Sequence, residues 1–439
     1  MARRTEIPKF GVLEGLRVLF SGGSIAAPFS ASLMADMGAD VIWMEHYAIP
    51  DIQRTGTSYG YLAEQDRKNM RNITLNVSTV SGKEVFLKLV READIFIEGS
   101  RGRTWDKFGL DDDTLWAVNP KLSIVHISGF GQYGVDDFVT RGSYDPIGQA
   151  YGGLMCINED SRGKALMANG SIGDYYSAFM AAFSGLSGYI NAQKTGRGES
   201  FDISQFEACL RNQNHQNLDC WNQNHPYNAS ADPDRNMGTA AWNSFVCKDG
   251  QQIHMLALGV GVMNGLRKCL GVGFDVIPEG VGILFVDGRV PAGDKMDGHK
   301  LEDVVRAWCL ERTAMEVETE MNNFGVPCAQ VLNFDTMLEH PHFLARETLT
   351  TVETVEGRNV IISNIVPKCK RNPGRIWCPA PDRGQDNEDI LADLGYSPEQ
   401  IKAMYADSTV TKPAKPKIPC EVRKFWGDER INPDEVAKF

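Results

Sequence analysis

The chain lacks most of the patterns that would take it out of the class of ordinary globular proteins. Its ten cysteines, at 156, 209, 220, 247, 269, 309, 328, 369, 378 and 420, include no C-x-x-C pair and no Cys/His cluster at zinc spacing. A zinc site or a disulfide framework is therefore not expected. Such scatter over 439 residues suits reduced, mostly buried thiols and a cytoplasmic location. Positive charge is in deficit: 45 Lys and Arg stand against 57 Asp and Glu, a net charge of −12. A generic nucleic-acid face is thereby disfavoured, while a local cationic pocket for a phosphorylated ligand stays open. No apolar run reaches membrane-spanning length, and the Met1–Pro8 stretch has no apolar signal-peptide core. No internal repeat is present.

What is there is 42% hydrophobic, 23% charged and 9% aromatic, a globular composition. The length exceeds one ordinary core, so two domains are expected. Leu16–Phe20 reads as a buried strand, Ser21–Ser24 as a tight turn, Ile25–Met37 as a helix ended by Gly38, and Val41–Met44 as a second strand. That β-α-β order implies a parallel sheet with a right-handed crossover. Further strands are expected at Ile73–Val77, Ile95–Glu98, Leu122–Ile127 and Ser200–Ile203, with a helix at Gly82–Val90. Glu45 closes the second strand where a Rossmann-type NAD-dependent dehydrogenase would place a ribose-binding acid. The turn before it, however, is SGGSIAA and not G-x-G-x-x-G.

Cations and glycines gather at the strand ends. Arg67, Lys68 and Arg71 precede the Ile73 strand and read as a solvated turn or as a phosphate contact. Gly99, Ser100, Arg101, Gly102 and Arg103, with Lys107 beyond, follow the Ile95 strand at its carboxyl end, where open α/β sheets bind ligands. Gly129, Gly131 and Gly134 make a loop after the next strand whose N–H groups could meet a ligand. His126 reads as a core histidine. Asn169–Tyr176 then leads into a long apolar helix over Ser177–Ile190. Asp174 is expected at or just before its N-terminus, as an N-cap kept ionised by free N–H groups and the helix dipole.

From Cys209 to Met237 amides, His and Trp crowd together, as in a linker, an interface, a polar acceptor pocket or a lid. A hairpin is expected around Lys248-Asp249-Gly250, helical spacing runs over Leu301–Phe324, and a strand is expected at Val360–Ile365. Two short helices flank Gly395. The tail beyond Ala406 is a Pro/Lys-rich arm.

Several stretches, in order over about 400 residues, resemble class III coenzyme A transferases of the formyl-CoA transferase/CaiB type. They include FGVLEGLRVLFSGGSIAAPFSASLMADMGADVIWME (Phe10–Glu45), EADIFIEGSRG (Glu92–Gly102), HISGFGQYG (His126–Gly134) and SYDPIGQAYGG (Ser143–Gly153). IGDYYSA (Ile172–Ala178), KTGRGESFDIS (Lys194–Ser204), GVPCAQV (Gly325–Val331) and LGYSPEQI (Leu394–Ile401) continue the series. Within the family the likeness leans to the carnitine CoA-transferases, through GADVIWME, NPKLSIVHISGFGQYG and NPGRIW (Asn372–Trp377).

The resemblance implies an α/β fold. A large Rossmann-like parallel-sheet domain would be built from 1–208 and 351–405, and a smaller α+β domain from 238–330. Linkers would fall at 209–237 and 331–350, with an extension over 406–439. Two chains would interlock as a homodimer. It implies Asp174 as nucleophile, an aspartyl mixed anhydride and an aspartyl-CoA thioester as intermediates, and no metal or other cofactor, CoA being part of the substrate. It implies CoA contacts at Arg101, Lys107, Gly99 and Ser100, the adenosine end near Arg71, Leu75 and Asn76, and a phosphate contact at the position of His46. Tyr144 and Gly131 would line the acyl site. Met237–Trp242 lacks the glycine run of the formyl-CoA transferases, which favours an acid larger than formate or oxalate. The expected acid is carnitine- or betaine-like, its ammonium met by Tyr175, Tyr176, Trp221 or Trp242. A 2-hydroxy or aromatic acid is the alternative.

Overall fold

Strand residues of the amino-terminal half alternate between two apolar faces. In the computed structural model, which describes residues 7–54, 60–158, 160, 162–213, 216–223, 239–286 and 298–413, they form six parallel strands. These are β1 (Arg17–Gly22), β2 (Asp40–His46), β3 (Met70–Leu75), β4 (Ile95–Gly99), β5 (Ser123–Ser128) and β6 (Ser200–Ser204), in the order β3-β2-β1-β4-β5-β6. Val18, Phe20, Trp43, Ile97 and Val125 pack on one face beneath the Ala26–Asp36 helix and Ala181. Leu19, Ile42, Phe96 and Ile124 pack on the other against Val85, Phe86 and Leu89 of the Val80–Glu92 helix. Both faces are covered, which is why the central strands read as continuous apolar runs.

The chain divides into two compact units. The large one comprises 1–158, 166–219 and 345–439, and is thus drawn from both ends of the chain. Its edge strand β3 is closed by the carboxyl-terminal segment. Asp386 Oδ2 accepts from the N–H of Asn72 at 2.7 Å and Asn387 Oδ1 from that of Thr74 at 2.9 Å. The N–H of Asn76 just beyond is bound by Thr409 O at 2.9 Å. An edge that would otherwise present bare donors is satisfied within the unit. A hairpin of β10 (Leu349–Glu353) and β11 (Asn359–Ser363) also belongs here.

The small unit comprises 159–165 and 220–344. The expected hairpin is β7 (Trp242–Val246) and β8 (Gln252–Leu256), joined by β9 (Cys328–Gln330) in an antiparallel sheet. The helical stretch after Leu301 is two helices, His299–Leu310 and Ala314–Asn323. The break comes at Thr313, whose hydroxyl and Glu316 form a capping box that starts the second helix.

One local reading is corrected. β3 starts at Met70, so Arg71 and Asn72 are strand residues, and Arg67 and Lys68 are fully buried rather than solvated. Arg67 donates to Asp51 and to Ser24 O, and Lys68 pairs with Asp36 at 2.9 Å. Their partners lie in earlier loops and helices, so charge pattern alone made them look exposed. Within the polar 209–237 segment, 214, 215 and 224–237 lie outside the described residues, as do Met237, Gly238 and the tail from 414.

Candidate active site

The Ile172–Thr195 helix runs antiparallel to the strands. Its Gly185 fits against Ile95 and its Gly188 against Ser123, the first residues of β4 and β5. Eleven residues of helix from Asp174 to Gly185 span about 16 Å, which is roughly the run of a five-residue strand. Asp174 is thereby carried to the carboxyl edge of the sheet. There the residue after β6, Gln205, donates its side-chain N–H to Asp174 Oδ1.

Asp174 is not the N-cap. It is the third residue of the helix, and the cap position is Ser171, whose φ of 51° is left-handed and whose side chain caps nothing. The exposed amides are served by another acid. Asp145 Oδ1 accepts from the N–H of Gly173 at 2.7 Å and of Asp174 at 3.1 Å. Asp145 is in turn held by Gln149, which donates to Oδ2 at 2.6 Å and is braced by the backbone of Ala168. A Cβ on Gly173 would stand 3.0 Å from Asp145 Oδ1 and 2.8 Å from Cys209 Sγ, so only glycine lets this acid so close.

The expectation that the helix end keeps Asp174 ionised is therefore overturned. Burial, then the neighbouring charge of Asp145, push its carboxyl up to about 7, against the lowering effect of the Gln205 hydrogen bond. The same surroundings push the buried Cys209 thiol up to about 11, chiefly by burial. Asp174 is 6% exposed, and its Oδ2 makes no hydrogen bond among the described residues. The arrangement presents a buried carboxyl with one oxygen hydrogen-bonded and the other without a partner among the described residues, so that once ionised it is a poorly solvated nucleophile.

The other candidates divide. His46, Leu75, Asn76, Gly99, Ser100 and Gly131 end strands or follow them at the same carboxyl edge. Arg101 and Lys107 are exposed in the loop after β4 and carry no ion pair among the described residues. Ser100 donates its hydroxyl to Glu98, Leu75 is core, and Gly131, at a φ of +89°, donates its N–H to Ser128 Oγ at 2.8 Å. Asn76 Oδ1 accepts from the Ser78 N–H at 3.1 Å. Tyr144 is 68% exposed. Its chain neighbours are bound into the site, Ser143 to Gln205 and Asp145 to the helix amides. Arg71 lies apart. It is the second residue of β3 and is clamped by Asp40, the first residue of β2, at 2.8 Å, with Asp393 at 3.4 Å. It therefore sits at the amino edge.

His46 accepts through Nδ1 from the N–H groups of Ala48 and Ile49, each at 3.1 Å, and burial, then Arg383, lowers its pKa. Arg383 donates to the carbonyls of His46 and Tyr47. Tyr175 packs edge-on to Phe29, with centroids 4.7 Å apart. His126 is the expected core histidine. Burial alone would lower it, but hydrogen bonds to the carboxylates of Asp112 and Glu98, each at 2.9 Å, and their charges push it up to about 10. Glu45 cannot serve a ribose. It is buried and held by Arg54 at 2.8 and 3.0 Å, by Asn72 at 3.1 Å and by the Asp51 N–H at 2.9 Å. Among the described residues no group of three His, Cys, Asp or Glu could hold a metal ion.

Residues 13–387 match the sequence profile of CoA-transferase family III. The chain belongs to that family. A bile acid CoA-transferase of Clostridium scindens, BaiK, is 34% identical over 399 residues, covering 90% of this chain and 88% of that protein. A CaiB/BaiF family protein from Brucella suis, at 22% identity, matches the fold with a TM-score of 0.71 over 88% of this chain and 100% of its own. Rv3272 from Mycobacterium tuberculosis, at 19% identity, does so with a TM-score of 0.72 over 87% and 99%. As a family III CoA-transferase the protein is a transferase enzyme, and its substrates are of the acyl-CoA and carboxylate classes. Among the described residues no helix of this transferase is long and apolar enough to cross a membrane. The residues that sequence reasoning missed in it are Asp145, Gln149, Gln205 and Ser143. All four lie in or next to the matched stretches, but nothing in a linear sequence pairs them with Asp174.

Proposed function

We propose that this transferase moves CoA between an acyl-CoA thioester and a free carboxylic acid with Asp174 as the covalent acceptor. The observation that carries the reading is the free Oδ2 of a buried carboxyl at the carboxyl edge of the sheet. Oδ2 attacks the thioester carbonyl, CoA thiolate leaves, and a mixed anhydride forms. The thiolate attacks the aspartyl carbon and releases the donor acid, leaving an aspartyl-CoA thioester. The acceptor carboxylate attacks that thioester, and the returning thiolate takes the acceptor acyl group and frees Asp174. These steps call on no redox group and no metal. Arg101 and Lys107 are the cations proposed to meet the CoA phosphates. Asp174→Ala tests the core of the reading: CoA exchange between an acyl-CoA and a free acid should fall below detection, and hydroxylamine should no longer trap an aspartyl adduct. Exchange that survives the substitution sinks it.

Two acids are supported. The carnitine-like stretches favour a betaine, and the 34% identity to a bile acid CoA-transferase favours a bulky sterol acid. A mass-spectrometric screen with crotonobetainyl-, butyrobetainyl-, short acyl- and bile acyl-CoA donors decides between them. Transfer to bile acids and to no betaine removes the first.

A further inference from the structure

The two oxygens of Asp174 are unlike. Oδ1 accepts from Gln205 Nε2 and Oδ2 is free among the described residues. The Gln205 amide cannot readily turn over, because Ser143 Oγ donates to its Oε1 at 2.8 Å, which leaves Nε2 aimed at the carboxylate. Ser143 is there because Gly129 makes room for it: a Cβ on Gly129 would lie 2.2 Å from that of Ser143. On the other side Gly148 lies so close that an added Cβ would stand 2.8 Å from Gln205 Cβ. The amides of Gly173 and Asp174, which would be the natural donors at a helix N-terminus, are already taken by Asp145.

The free oxygen is the better nucleophile, so Oδ2 forms the bond to the donor acyl carbon as CoA thiolate leaves. Oδ1 is then the carbonyl oxygen of the aspartyl half of the anhydride. When the thiolate adds to Cγ, an electron pair moves onto Oδ1. Collapse re-forms the carbonyl, breaks Cγ–Oδ2 and sends the donor acid away as a carboxylate. When the acceptor carboxylate adds to the resulting thioester, charge again develops on Oδ1, and collapse breaks Cγ–S and releases CoA thiolate. Two of the four additions therefore place an oxyanion one hydrogen bond from Gln205 Nε2. The other two place it on the substrate's own carbonyl.

We infer that Gln205 is a catalytic residue, the oxyanion donor for the two additions at the Asp174 carbonyl. This rests on Asp174 being the covalent acceptor. A preorganised donor at such a position accelerates its step by about 10²–10³-fold. Its neutral amide can donate to Oδ1 in the carboxylate, the anhydride, the thioester and both tetrahedral states without any proton moving.

The test compares the parent enzyme with Gln205→Leu and Gln205→Glu at about pH 9, above the ionisation of Asp174, so that a shifted acid limb does not enter. The kcat of both variants should fall by about 10²–10³-fold. With acyl-CoA donor alone, rapid-quench intact mass spectrometry should show the acyl adduct accumulating in the variants where the parent shows the CoA adduct. A kcat within about threefold of the parent overturns the inference. So does a fall in which no acyl adduct builds up, since a merely structural role slows every step alike. Thermal melting and donor binding report folding, and Gln205→Glu carries the test if the leucine variant does not fold. Asp174→Asn run alongside separates the two readings: if it transfers CoA, the acceptor assignment fails. If it is dead while Gln205→Leu is normal, only Gln205 is reassigned.

Discussion

Asp174 is costly to the fold in the form that makes it useful. Its carboxyl sits near 7, raised first by burial and then by Asp145, against an ordinary value of 3.8. The folded state therefore binds a proton that the unfolded chain has released between about pH 4 and 7, and stability contributed by this group falls as pH rises through that window. Asp174→Asn keeps an oxygen for Gln205 and removes the charge. It should melt several degrees above the parent at about pH 8, with the gap closing toward pH 4, as scanning calorimetry at the two pH values would show. For the parent, kcat/KM should rise through about pH 7 to a plateau. Asp145→Asn deletes one of the causes that raise the carboxyl, so its acid limb should move to lower pH. Its rate at about pH 6, relative to its own plateau, should rise roughly several-fold. A limb that stays put would separate the charge of Asp145 from its place beside Asp174.

At the scale of elements, three helices meet because glycines let them. The Asp145–Tyr151 helix lies against Gln205–Arg211 through Gly148, and Gly152 at its end fits where a Cβ would come within 2.4 Å of Phe206 O and 2.7 Å of Cys209 Cβ. Gly173 admits Asp145 to the first turn of the long helix. Gly148→Ala puts a methyl into Gln205, whose backbone is fixed by β6. The variant should lose about 1–3 kcal/mol of stability. It should lose more than tenfold in kcat because Nε2 is displaced, by analogy with the effect of small misplacements at reacting groups. Melting and steady-state kinetics measured together check the pair, and a stable variant with normal kcat would show that the packing tolerates the shift. The helical spacing, the run of parallel strands in the first half and the acid at the start of the long helix were legible in the sequence, whereas the order of the strands within the sheet was not. The cap was not, because Asp145 and Asp174 stand 29 residues apart, on separate helices.

At the scale of the whole molecule, the large unit depends on its carboxyl-terminal segment to close β3, through Asp386, Asn387 and Thr409. This explains why residues more than 300 positions apart in the chain belong to one compact unit. The proposed interlocking of two chains belongs to this scale too. Light scattering on the purified protein should return twice the 48.6 kDa of one chain. A monomer fully active in CoA transfer would remove that proposal and leave the chemistry at Asp174 intact.

The sequence by itself determined the six parallel strands of the first half and the helices after β1, β3 and Gly173, because apolar period and glycine placement act over a few residues, but it did not mark the Asp145–Tyr151 and Gln205–Arg211 helices. It also placed the loops after β4 and β5 at the ligand-binding edge, since parallel strands put their carboxyl ends together. It misjudged the cations at Arg67, Lys68 and Arg71, whose acidic partners come from other elements. Only the tertiary structure decided the ionisation of Asp174, which of its oxygens is free, and which residue faces the other. Those properties are set by burial and by contacts from Asp145 and Gln205, 29 and 31 residues away, and a carboxylate's behaviour follows its surroundings rather than its neighbours in the chain.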